Sequence, residues 1–260
     1  MIAARRLEIR IAGRVLLADA NFTIESGEFV AVLGRNGVGK TTLLRTLCGL
    51  HADYTGEIHI DGKPLGQFSS SERARRIAYV ASDEMMLEML TVRDVVANGR
   101  YAYHGWFNWH ETPEDTRAIA SALEAVAIEE LAHRLFTTLS SGERQRCWLA
   151  LALAQEPRVM LLDEPTSHLD VRVAQDILRL LHLQRAAGRT LVCVFHELNE
   201  ALAFADRIFV LGDGTLLSTA SARDYTDGHT FERAYGLPME SIRLSDGSMR
   251  VFPRPSANSK

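Results

Sequence analysis

Eight residues constrain this chain more than any others. Gly34-Arg35-Asn36-Gly37-Val38-Gly39-Lys40-Thr41 meets the spacing GxxxxGK[ST]. Just before it, Phe29-Val30-Ala31-Val32-Leu33 is an unbroken apolar run, as expected of a strand buried on both faces. Just after it, Thr42-Leu43-Leu44-Arg45-Thr46-Leu47 reads as a helix closed by Gly49. Glycine allows backbone N–H groups to turn inward, and the positive end of a helix adds to their field. The stretch from Gly34 to Thr42 is therefore suited to cradle the phosphates of ATP. Lys40 would reach the β- and γ-phosphates, and the Thr41 hydroxyl would ligate Mg²⁺. A plain glycine-rich turn with a stray lysine would not need these flanks.

Two more apolar runs end in polar residues. Val159-Met160-Leu161-Leu162 leads into Asp163-Glu164, and Thr190-Leu191-Val192-Cys193-Val194-Phe195 leads into His196. Ligands gather at the carboxyl edge of a parallel sheet, so both endings are site candidates. Asp163 would hold Mg²⁺, directly or through water. Glu164 would orient and deprotonate an attacking water. His196 would contact the γ-phosphate and report its presence. Taken alone, an acidic pair is as often a solvated turn, and a lone histidine is usually structural. Their common placement downstream of the phosphate loop favours a site.

The rest of the chain is consistent with a mostly parallel sheet joined through helices. Leu7, Ile9 and Ile11 alternate with polar or small residues, a half-buried strand pattern, and Asn21 to Ile24 reads as another short strand. From Thr91 to about Glu156 the chain is mostly helical. Ile119, Leu123 and Val126 share one helix face, and Trp148 to Ala154 reads as a buried helix. Val171 to Ala187 reads as an amphipathic helix. Ile208–Leu211, Gly212-Asp213-Gly214 and Thr215–Leu217 form a hairpin pattern. Arg73, Arg75 and Arg76 read as a solvated helix face. Tyr101, Tyr103, Trp106, Phe107 and Trp109 read as local core or as a docking surface, with Met85, Met86, Met89 and Leu90 lining the same groove. The tail after about Asp224 is mixed, with a frayed end from Pro253.

Charge and cysteine content exclude several classes. The net charge of −4 gives no general basic field, so no nucleic-acid partner is expected. Cys48, Cys147 and Cys193 are far apart and form no CxxC pair, which speaks against zinc or a disulfide framework and for a reducing compartment. The start lacks a signal-peptide pattern, and no run approaches the roughly 18–20 apolar residues that span a bilayer. The expectation is a soluble chain unless a partner holds it at a membrane.

Leu139-Ser140-Ser141-Gly142-Glu143-Arg144-Gln145 looks like the signature motif of ABC transporter ATP-binding subunits. It precedes a helix, so it can serve as a phosphate site, as a helix cap through Ser140 or Ser141, or as both. Ser167-His168-Leu169-Asp170 resembles the D-loop of that family. The order phosphate loop, signature, Asp-Glu, D-loop and histidine is matched across nearly the whole chain. The resemblance implies one ABC ATPase domain: an α/β phosphate-loop core with a mostly parallel sheet, an N-terminal antiparallel β portion and a helical insertion. Residues 1–85 and 157–222 would form the nucleotide-binding core, 86–156 the helical part with the signature, and 223–260 a tail. It implies ATP hydrolysis with Mg²⁺, and a second ATP-binding subunit (a homodimer), with Ser140, Ser141, Gly142 and Glu143 facing ATP on the partner and Asp170 at the dimer contact. Transmembrane permease subunits, a substrate-binding protein and a peripheral place on the cytoplasmic face of the membrane follow from the same resemblance.

Further motifs narrow it. Thr91-Val92-Arg93-Asp94-Val95-Val96-Ala97-Asn98-Gly99-Arg100-Tyr101 resembles a stretch of the importers for iron–siderophore, haem and cobalamin, as do His196-Glu197-Leu198-Asn199-Glu200-Ala201 and Glu232-Arg233-Ala234-Tyr235-Gly236. Four positions depart from the family. No glutamine stands near Ser82, so Ser82, Asp83 or a water would supply the oxygen ligand. Ile11 stands where an aromatic ring usually stacks on adenine, which implies plain apolar contact and weaker adenine binding. Ser141 and Glu143 replace the commoner glycine and glutamine. Import of another cargo, a soluble switch ATPase and a module that barely hydrolyses are the rival readings.

Overall fold

The computed structural model describes residues 1–82, 87–104, 110–225, 228–245 and 247–254. The chain divides into two units, Met1–Leu65 with Val192–Lys260, and Gly66–Leu191.

The first unit opens with β1 (Ile2–Ile11) and β2 (Arg14–Ile24), an antiparallel hairpin. Leu7 and Ile9 face the core as expected, but Ile11 at the strand's end is 43% exposed. Strand β2 is longer than the expected Asn21–Ile24, because register shifts along β1 break the alternation that would announce its first half. The fully buried β3 (Phe29–Leu33) leads through the phosphate loop into α1 (Lys40–Leu47). Then β4 (Tyr54–Ile60) and the two-residue β5 (Lys63–Pro64) complete an antiparallel sheet in the order β2-β1-β4-β5.

In the second unit, α2 (Ser70–Ala74) precedes β6 (Ile77–Val80). Helices α3 (Val92–Ala97), α4 (Pro113–Ala125) and α5 (Ser141–Ala154) pack on one another. The buried helix read from Trp148 to Ala154 is the second half of α5, and Phe136 meets Trp148 edge-on with ring centres 5.2 Å apart. The wholly buried β7 (Val159–Asp163) pairs in parallel with β6, and α6 (Val171–Ala186) is the expected amphipathic helix. Strand β8 (Thr190–Val194) begins here and ends in the first unit.

Of the three arginines expected on a solvated face, Arg75 is exposed, and Arg73 and Arg76 are half-buried. Arg75 Nε donates to the Ala102 carbonyl at 2.8 Å and its guanidinium lies over the Tyr103 ring, while Arg76 lies over Phe68. Of the aromatic cluster, Tyr101 is exposed, and Tyr103 is half-buried with its hydroxyl donating to Gln155 O at 3.0 Å. Trp106, Phe107, Trp109, Met85 and Met86 lie outside the described residues, as do Asp83 and residues 255–260 of the tail.

A buried ion cluster braces the helices of this unit. Arg100 Nε donates to Asp115 Oδ1 (2.8 Å), and Arg100 Nη1 donates to Ala154 O (2.8 Å) and Glu156 Oε2 (2.7 Å). Its guanidinium also lies 3.8 Å from the centre of the Tyr103 ring. Arg100 thereby links the segment after α3 to the start of α4 and to the end of α5, the helix that the signature begins.

The chain then returns to the first unit with α7 (Leu198–Phe204), β9 (Arg207–Gly212), β10 (Thr215–Ser221), α8 (His229–Tyr235), β11 (Met239–Arg243) and β12 (Met249–Pro253). The β9–β10 hairpin expected from sequence is present, with Asp213 and Gly214 both at positive φ in its turn. Strand β3 lies between β9, to which it is parallel, and β8.

Candidate nucleotide site

In the first unit, the phosphate loop leaves β3 at Gly34, whose φ is +148°. A Cβ at this position would sit 2.5 Å from the Leu211 carbonyl oxygen, so only glycine lets the loop pass β9. At the other end, Gly39 (φ +107°) starts α1, whose first turn carries no acidic residue. The positive end of the helix is thus left without a carboxylate of its own. Lys40 is buried, and its Nζ donates to Gly34 O at 2.8 Å and Arg35 O at 3.2 Å. The ammonium is therefore folded back across its own loop. Arg35, Asn36 and Gly37 are exposed, Val38, Gly39 and Thr41 are half-buried, and Thr42 is buried.

His196 belongs to the same unit. Phe195 N donates to Val32 O at 3.1 Å, so the chain leaves β8 for His196 beside the point where β3 leaves for Gly34. His196 is exposed. Ile11 is exposed at the end of β1. Two neighbours of the loop were not linked to it by the sequence: Leu16, and Tyr235, which was read only as part of the motif Glu232–Gly236. Leu16 Cβ lies 3.4 Å from where a Cβ of Gly39 would stand. The Tyr235 hydroxyl accepts a hydrogen bond from Gly34 N at 3.2 Å.

In the second unit, Asp163 ends β7 and is 1% exposed. The Tyr79 hydroxyl, on the neighbouring β6, lies 3.4 Å from Asp163 Oδ2. Glu164 follows with φ +52°, a left-handed conformation that a side chain with a Cβ seldom adopts. Its turn is held by Ser167, whose N donates to Glu164 O at 3.1 Å and whose Oγ donates to Glu164 Oε2 at 3.2 Å. Strain of this kind is kept where the surroundings hold it, and it gathers at functional sites.

The signature segment forms a capping box at the start of α5. Ser140 N donates to Glu143 Oε2 (2.7 Å) and Glu143 N donates to Ser140 Oγ (3.3 Å). These bonds from Ser140 hold the Glu143 carboxyl below its ordinary range, helped by Arg134. Ser140 and Ser141 are exposed, whereas Gly142 is buried, with a would-be Cβ 2.8 Å from Val173 Cγ1 of α6. Asp170 is exposed and caps α6 by accepting from Val173 N at 3.0 Å. Ser82 is exposed at the end of the described stretch after β6. The structure thus gathers Ile11, Gly34–Thr42 and His196 in one unit, and Ser82, Ser140–Glu143, Asp163, Glu164 and Asp170 in the other.

Residues 17–167 match the family model described as ABC transporter. The chain is 40% identical over 229 residues to the ferric enterobactin transport ATP-binding protein FepC of Escherichia coli (strain K12), covering 86% of this chain and 83% of that one. It is 35% identical to the hemin import ATP-binding protein HmuV of Rhodococcus jostii (strain RHA1), over 97% of this chain and 86% of that one. Among solved structures it resembles a metal-chelate type ABC transporter in an inward-facing conformation, with a TM-score of 0.84, 27% identity and coverage of 98% and 97%. A dimeric ATP-binding cassette in a post-hydrolysis state with ADP and Pi gives a TM-score of 0.74 at 28% identity, covering 85% of this chain and 99% of that one.

Proposed function

The chain belongs to the ABC transporter family, and from that premise we propose that it powers an importer of an iron chelate or haem. The observation that carries ATP binding is the phosphate loop itself, with buried Lys40 folded over Gly34 and Arg35 at the open N-terminus of α1. Iron-chelate or haem cargo is supported by what the relatives' names state of those proteins.

Inward backbone N–H groups of Gly34–Thr42 hold the triphosphate, and Lys40 turns its ammonium to the β- and γ-phosphates. Ile11 covers the adenine by apolar contact. Glu164 accepts the proton of the attacking water, and His196 senses the γ-phosphate. Thr41 and Asp163 are hard oxygen donors, with Ser82 as a further hydroxyl. Mg²⁺, which takes oxygen ligands and keeps several waters and substrate phosphates, is the cation these donors would serve. When bound, Mg²⁺ neutralises charge on the phosphates.

A second copy would present Ser140, Ser141, Gly142 and Glu143 to the same ATP, with Asp170 at the contact. The dimeric structural neighbour that carries ADP and Pi supports the pairing of two such subunits. Permease subunits and a substrate-binding protein would complete the importer at the cytoplasmic face of the membrane. Within the described residues no helix is long and apolar enough to cross a membrane, so the permease would supply the spanning segments.

The test is Glu164→Gln. ATP binding should persist, turnover should fall by at least about a hundredfold as expected for loss of a general base, and a dimer should accumulate with ATP. Normal turnover would remove Glu164 from its role. For cargo, Lys40→Ala in the source cell should abolish uptake of a radiolabelled ferric siderophore or haem, and unchanged uptake of both would reject that class.

A further inference from the structure

The C-terminal segment touches the nucleotide-binding half of the first unit at two points. It is anchored first on the β9–β10 hairpin, where Tyr225 Oη donates to Ile208 O at 3.1 Å and stacks on the fully buried Phe231 of α8 with ring centres 5.0 Å apart. Glu232 then fixes the end of α8 by accepting from Met239 N at 3.0 Å. That anchoring delivers Tyr235, the last residue of α8, to the root of the phosphate loop. Its hydroxyl oxygen takes the Gly34 N–H, while Lys40 Nζ takes the Gly34 carbonyl. Both polar groups of the loop's first residue are thereby gripped, in a seat that the Leu211 carbonyl already restricts.

The second point lies beyond His196. Asn199, in the first turn of α7, donates to Val251 O at 3.2 Å and accepts from Val251 N at 2.9 Å. Strand β12 thus clasps the helix that follows the histidine. Burial pushes the Tyr235 hydroxyl up to about 12, against the pull of the Gly34 N–H and with Glu197 adding to the rise, so it stays protonated at working pH.

We propose that Tyr235 is a positioning residue for ATP: its hydroxyl pins Gly34 so that the loop keeps its phosphate-binding shape when Lys40 turns to the nucleotide. The tail is then part of the nucleotide site's support. This deepens the ATPase reading and rests on it.

The test is Tyr235→Phe in the full chain, which keeps the ring and removes only the hydroxyl. The Kd for a fluorescent ATP analogue and the KM for ATP should rise roughly three- to tenfold, the factor carried by one lost hydrogen bond, with kcat within about twofold. A merely structural role would lower the active fraction, and so the apparent kcat, and leave KM where it was; that outcome overturns the proposal. Hydrogen exchange without nucleotide gives an independent measurement. The Gly34 amide should exchange faster in the variant, and unchanged exchange overturns the proposal even if ATP assays fail. A wild-type chain that bound no ATP would instead sink the ATPase reading, while the exchange experiment would still decide the Tyr235 contact.

Discussion

Replacing Asp115 by asparagine should destabilise the second unit out of proportion to the size of the change. The Asp115 side chain is 3% exposed and that of Arg100 4%. Its carboxylate receives Arg100 Nε (2.8 Å), Thr112 N (2.9 Å) and Thr112 Oγ1 (2.8 Å), and His104 Nε2 lies 2.8 Å away. Removing one partner of a buried ion pair costs about 3–5 kcal/mol, because the remaining charge is left in a poor solvent. Here Arg100 keeps Glu156 and the Ala154 carbonyl, which places the estimate at the lower end, about 3 kcal/mol. At roughly 2–4 °C per kcal/mol for a chain of this size, Tm should fall by about 6–12 °C.

The pH dependence follows from the same contacts. Burial raises the pKa of Asp115, but Arg100, Thr112 and His104 outweigh it and hold the carboxyl well below the usual 3.8. A group depressed in the folded state stabilises above its unfolded pKa and loses that contribution as pH falls through the folded value. The gap between wild type and Asp115→Asn should therefore be full at pH about 7, and should narrow as pH drops below about 4. Urea denaturation at both pH values measures it. A loss under about 1 kcal/mol at neutral pH would mean that desolvation cancels the attraction, and a gap that widens in acid would reverse the assigned sign.

Three further outcomes follow from the described contacts. Gly142→Ala should cost about 1–3 kcal/mol by pressing on Val173, and Val173→Ala in the same chain should recover most of it; melting curves that show no recovery would place the strain elsewhere. Glu143→Gln keeps a capping side chain but removes a carboxylate from the segment assigned to the partner's phosphates. In the Glu164→Gln background the ATP-dependent dimer should tighten by about 0.3–1 kcal/mol in sedimentation, and weakening would argue against that placement. Cys48, Cys147 and Cys193 are all buried, and burial pushes the Cys147 thiol up to about 12, so none should react with a thiol reagent until the protein is unfolded; rapid native labelling would contradict the packing.

What could be read before folding and what could not divides along physical lines. Strands β3, β7 and β8 announce themselves because a parallel strand covered on both faces must be apolar throughout. The phosphate loop is legible because its glycines Gly34, Gly37 and Gly39 all take positive φ, and at Gly34 a side chain would also collide with the Leu211 carbonyl. Strand β2 was only half visible, since its pairing with β1 shifts register where Arg6 and Asp19 take positive φ, and alternation fails there. Arg100 and Asp115 are 15 positions apart, and Tyr235 and Gly34 are 201 apart. Nothing local distinguishes either contact from a solvated arginine or a tyrosine on a helix, so only tertiary packing reveals them. Glu164 is the sharpest case. Left-handed backbone is written into sequence by glycine, yet at Glu164 a glutamate holds it with Ser167 as its brace. The proposed role of Glu164 as the base gives a chemical reason for a carboxylate at a backbone position that glycine would adopt more readily, a conflict between local preference and chemistry of the kind found at functional sites.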